Sequence, residues 1–165
     1  MPFSNTNSLT ATDLNNCYRG LYRDNTNRSV TGTTSETDLG SLTITGGTIS
    51  ATGRIVLEAA GTITGAAGTK RLRVYFGGTS LYDSTAAAGT ADWFVRLIIS
   101  NTASNAQRVS VEAHDHTNTT NYLFDYTTAA IDTASNAILK ITGTLGNTGD
   151  TITEAKFEVQ VQQIT

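Results

Sequence analysis

Residues 54–78, RIVLEAAGTITGAAGTKRLRVYFGG, constrain the fold more tightly than any other stretch of the chain. Ile55, Leu57 and Ala59, and then Leu72, Val74 and Phe76, recur at every second position on either side of Gly61, Gly65, Ala66, Ala67 and Gly68. Alternate residues of an extended chain face the same way, whereas a helix repeats every 3.6 residues. The stretch therefore reads as a strand, a glycine-rich reversal and a second strand, a hairpin-like unit.

The same period continues along the chain. Leu39, Leu42 and Ile44 mark a strand that ends at Gly46-Gly47, and residues 79–83 form a short continuation after the pair at 54–64 and 70–77. Residues 93–100, WFVRLIIS, are almost continuously apolar and predict a strand buried on both faces at the centre of a sheet. Val109, Val111 and Ala113 alternate with Arg108, Ser110, Glu112 and His114; Tyr122, Phe124 and Tyr126 share one face of the next strand; Leu139 and Ile141 mark another. The last, at 151–164, sets Ala155, Phe157, Val159 and Val161 against Glu154, Lys156, Glu158, Gln160 and Gln162. About eight strands with almost no helical period predict an all-β fold, an eight-stranded jelly-roll-like antiparallel sandwich with an extended N-terminal arm. An immunoglobulin-like sandwich is the second topology, and the lack of a Cys-Trp-Cys pattern favours the roll.

A chain of 165 residues fits one core. Its single cysteine, Cys17, excludes an internal disulfide framework and a cysteine-rich zinc site. With 15% charged residues and a net charge of -3, Lys and Arg do not cluster enough to track a phosphate backbone, so nucleic acid is not an expected partner. No stretch approaches a membrane span and the first residues lack a signal-peptide pattern, which predicts a soluble product with no membrane partner.

Residues 1–34 differ from the rest. They lack sustained alternation, and Phe3, Leu9, Leu14, Tyr18, Leu21 and Tyr22 stand singly among polar residues. Such a segment cannot bury enough surface to order itself. The division expected is an arm at 1–34, anchoring to a partner subunit through those six side chains, and a β-sandwich at 35–165; the other reading folds the arm back on its own domain.

No constellation of catalytic residues assembles. Residues 61–70 superficially suggest a phosphate loop, but Thr69 precedes Lys70 and a strand follows where a helix N-terminus is required. His114 and His116 share a face at a strand end and could offer two nitrogens to a metal; two ligands do not close a site, and solvated side chains are the simpler reading. There is no G-x-S-x-G elbow, and Asp83, Asp92, Asp115, Asp125, Asp132 and Asp150 mostly stand beside turn residues. The expectation is a protein that is not an enzyme and takes no cofactor. Tyr75, Tyr82, Tyr122 and Tyr126, with Trp93 and Phe94, are the aromatic stock for a sugar platform, a subunit contact or ordinary packing. Arg71 and Arg73 share an outward face with Tyr75, as a solvated face or an intersubunit ion pair.

Glu36 to Ile44, then Ile49 to Lys70, then Leu72 to Leu81, resemble a module recurrent in structural proteins of tailed bacteriophages, departing from it at Ile44-Thr45-Gly46, where such modules often carry a proline. The resemblance covers about 45 residues closely, and later strands agree in pattern. It implies a β-sandwich virion component made in the host cytoplasm, commonly trimeric, displayed on the head or on a tail appendage. Two functions follow from it. One is a head decoration or cement protein bound to the major capsid protein; the other is a fibre or receptor-binding module contacting host glycan.

Overall fold

The structure is a computed structural model and describes residues 21–65, 67–84, 89–115 and 122–162. Among the described residues there are eleven strands and no helix. In chain order they are β1 (Leu21–Asp24), β2 (Arg28–Thr31), β3 (Thr37–Ile44), β4 (Arg54–Thr64), β5 (Lys70–Phe76), β6 (Thr79–Asp83), β7 (Ala91–Ala103), β8 (Ala106–Asp115), β9 (Tyr122–Ala129), β10 (Ala137–Leu145) and β11 (Thr151–Gln162). From β3 onward they fall where the alternation predicts.

All pairings are antiparallel. One sheet runs β1-β11-β4-β7-β8-β9, with β2 also on β11, and the other runs β3-β10-β5-β6. Within them β2 pairs β11, β3 pairs β10, β4 pairs β7 and β5 pairs β6. That nesting of first with last is an antiparallel ribbon rolled on itself, the jelly roll. β8 and β9 lie between the sixth and seventh strands of the roll and widen the first sheet. The core fills the space between sheets, with Phe76, Leu139 and Ile141 on one side and Leu57, Leu97 and Phe157 on the other, all fully buried.

Three expectations are corrected. The stretch 54–78 is not a hairpin: β4 hydrogen-bonds to β11 and β7, β5 to β10 and β6, and the glycine-rich loop carries the chain from one sheet to the other. The genuine hairpin is β5–β6, where Gly77 and Gly78 take φ of 55° and 81°, the left-handed pair that a two-residue turn between twisted strands requires. β7 lies inside the first sheet as expected, but only one face is fully covered. Trp93, Val95, Leu97 and Ile99 point into the core, whereas Phe94, Arg96, Ile98 and Ser100 are half-buried on the outside, because no other described element stacks on that face. Finally, β1 and β2, inside the segment expected as an arm, lie in the sandwich. β2 pairs with Thr151–Glu154 and brings Val30 into the core at 1% exposure, so it is the first strand of the roll.

Candidate partner-binding surface

The charged groups on the outer face of the second sheet pair with one another. Arg73 contacts Glu36 at 2.8 Å and Asp83 at 3.2 Å, and Arg71 also binds Asp83. Lys140 binds Asp38 at 2.8 Å and lies over the Tyr75 ring at 5.7 Å. Burial pushes the Glu36 carboxyl up, but hydrogen bonds with Thr142 and Tyr75 and the charges of Arg73 and Lys140 hold it below its ordinary value. Arg71 and Arg73 thus form ion pairs within the chain, on a face with few unmet partners.

The loop once comparable to a phosphate cradle is also filled from within. Lys70 is fully buried; its Nζ donates to the Gly65 carbonyl and lies 3.1 Å from the buried Asp150 Oδ2. The ammonium braces the crossing between sheets and points away from solvent, which leaves no cation for a phosphate. A second buried network ties the crossing from β9 to β10. Gln107 donates to the Ile131 carbonyl and to Asn101 Oδ1 and accepts from the Ile131 amide, while Asn101 donates to the Ser50 carbonyl and to Thr133 Oγ1. Amide side chains that bond backbone across a sheet crossing are indistinguishable in sequence from surface residues, so the alternation gave no sign of them.

One buried acid has no such support. Glu154 is 0% exposed, and neither carboxylate oxygen makes a hydrogen bond. It fits only because Gly40 on the opposite sheet lacks a side chain: a Cβ there would lie 2.5 Å from Glu154 Oε2 and from the Phe157 ring. Burial pushes this carboxyl up to about 7, against the pull of the Arg28 cation and with a smaller push from Asp24.

Of the six residues expected at the partner interface, Phe3, Leu9, Leu14 and Tyr18 lie outside the described residues. Leu21 and Tyr22 are in β1. Leu21 is 55% exposed, and Tyr22 is half-buried and edge-on to Phe157 at 6.2 Å between ring centres. Both line a groove of about 320 Å³ with Leu42, Ile44, Val159 and Val161, where the edges of the two sheets meet. His114 stands on the outer side of β8, in register with Phe94, and His116 lies outside the described residues. Among the described residues no three His, Cys, Asp or Glu side chains gather as a metal set.

The outer face of the first sheet is where exposed apolar groups collect. Register places Glu158, Glu58, Arg96, Glu112 and Phe124 in one row across β11, β4, β7, β8 and β9, and Gln160, Val56, Ile98, Ser110 and Tyr126 in the next. The charged members pair: Lys156 with Glu58 at 2.7 Å, Arg96 with Glu58 at 3.5 Å, and Arg23 with Glu158 at 3.1 Å. Hydrogen bonds from Gln160 and Arg23 hold the Glu158 carboxyl below its ordinary value despite its burial. Toward β9 the face turns apolar, with Phe124 and Tyr126 at 73% and 58% exposure and Leu123, on the inner side of the overhanging strand, at 41%. Of the aromatic residues singled out in the sequence, Tyr126 is on this face and Phe94 is half-buried on it, while Trp93 is core, its Nε1 donating to the Thr153 carbonyl at 3.2 Å. Leu123 was missed, because its position in the alternation assigns it to the core and only the width of the second sheet leaves it uncovered.

No family model matches this chain, and no curated protein matches it. Among solved structures it is similar to the CBM2 module of the evolved Dit of Lactobacillus casei BL23 phage J-1, with a TM-score of 0.40 and 8% identity over 76% of this chain and 69% of that one. No residue of that module is carried over to this chain.

Proposed function

We propose that this chain is a non-enzymatic structural protein of a tailed-phage virion, a head decoration or cement protein that binds the head lattice through its N-terminal arm and self-associates through its sandwich. The observation that carries the reading is the exposed apolar end of β9, Leu123, Phe124 and Tyr126. Phe124 and Tyr126 lie two residues apart on the outer face, and exposed apolar groups clustered in this way mark macromolecular contacts. The sequence resemblance over residues 36–81 supplies the virion context. In this reading residues 1–20, which precede β1, are the part of the expected arm that anchors to the shell. The mechanism is mass action: each bound protomer stabilises the assembled shell by its own binding free energy. Virions lacking the protein should lose their genome at lower temperature or on milder osmotic shock than wild type; shells of equal robustness would refute cement.

A second reading is a receptor-binding module for host glycan. It is favoured by one arrangement, the exposed rings of Phe124 and Tyr126 beside the Arg96–Glu112 contact of 3.8 Å on one sheet face. Aromatic faces stack on apolar sugar faces while charged groups meet the hydroxyls. Mutant virions that stay robust but no longer adsorb to cells would favour this reading over the first.

A further inference from the structure

An edge strand presents unpaired N–H and C=O groups on which another strand can form, unless the edge is short, bulged, charged or covered. Among the described residues, three of the four sheet edges are blunted. Beside β11 the first sheet ends in β1 and β2, only four residues each. β3 meets its neighbour through a register break at Ile141/Thr142 and carries Asp38, paired to Lys140. β6 has five residues, a break opposite Val74/Tyr75, and Asp83 held by two arginines. Among the described residues, β9 has none of these devices. Its eight residues stay in unbroken register with β8 from Gln107↔Ala129 to His114↔Tyr122, its one charged side chain is Asp125, and it exposes Leu123, Phe124 and Tyr126.

We propose that β9 is a self-pairing edge, on which two copies of this chain join antiparallel about a two-fold axis and make one continuous sheet. Opposed residues in an antiparallel pair point to the same face, so the axis must pass through a residue rather than between two. Only axes at Asp125 or Tyr126 bring seven residues of each strand together. The first opposes the two Asp125 carboxylates, and like charges directly opposite are destabilising. The second opposes Asp125 to Thr127 of the partner subunit, whose hydroxyl can donate to it. Leu123 then meets Ala129 of the partner subunit, Phe124 meets Thr128 of the partner subunit, and Tyr126 meets Tyr126 of the partner subunit. The pairing rests on the sheet edge and not on the virion assignment, so each can fail without the other.

The full chain should sediment over the micromolar range as a species of two 17.4 kDa protomers in equilibrium with one. Tyr126→Lys should raise the dissociation constant more than about tenfold, with an unfolding midpoint equal to the parent's when both are measured below their dissociation constants, where each is a monomer. In a Cys17→Ser background, Tyr126→Cys should oxidise to a linked pair. Thr128→Cys should not, because its symmetry mate is displaced four residues, ~13 Å along the strand, beyond the ~7 Å Cα separation that a disulfide spans. A chain that stays monomeric throughout, pairing only with some other protein's strand, would overturn the proposal. So would an oligomer indifferent to Tyr126→Lys, or one linked through Thr128→Cys instead.

Discussion

At the scale of the residue, Glu154 carries a desolvation cost that no hydrogen bond offsets. A buried carboxyl without hydrogen bonds disfavours its charged form, so it holds its proton up to about 7 in the folded protein against 4.5 when unfolded. Below 4.5 both states are protonated and the group adds no penalty. Between 4.5 and about 7 the folded state binds more protons than the unfolded one, so stability falls as pH rises, and above that window the penalty is constant. The loss across the window is on the order of 3 kcal/mol. Urea titrations through it should show this slope, and Glu154→Gln, which keeps the shape without the charge, should flatten it. An unchanged slope in the variant would assign the dependence elsewhere. The sequence marks this position only as a polar residue in an alternating strand. Its inward turn comes from the register break between Glu154 and Lys156, where β11 bulges against β4 and reverses which residues face the core.

At the scale of the element, the N-terminal strands show how length limits what alternation can reveal. β1 and β2 contain four residues each, too few for a period of two to stand out from a polar segment. β3 to β11 span five to thirteen residues and are legible. Yet β2 closes the roll, and its loss uncovers the β11 edge as well as removing Val30, whose burial contributes ~2 kcal/mol. Deleting residues 1–34 should therefore abolish the cooperative melting transition or lower it strongly relative to deleting 1–20, which keeps β1 and β2. Equal melting of the two truncations would show that β2 is dispensable. For the same reason a test of capsid docking through the N-terminus belongs on the shorter deletion, which spares the sandwich.

At the scale of the whole molecule, the roll pairs its most distant strands. Thr31 sits opposite Thr151, 120 residues away, and the nesting closes only when such loops have formed. Folds dominated by non-local strand pairing refold in milliseconds to seconds rather than microseconds. Stopped-flow fluorescence can follow this through the single tryptophan, Trp93, which is 2% exposed in the core; a microsecond phase carrying the full amplitude would contradict the topology. By itself the sequence determined where the long strands run and, for most of them, which side faces the core, because a period of two is a local property of each segment. It also located the turns and gave no catalytic constellation. Tertiary structure decided what no local pattern encodes: that β4 and β5 part into different sheets, that Lys70 turns inward onto Asp150, and that the second sheet is too narrow to cover Leu123. Those outcomes depend on which distant edges meet and how wide each sheet becomes. Hydrogen-bond pairing and loop closure settle them only when the whole chain packs, and among the described residues they leave β9 as an open edge.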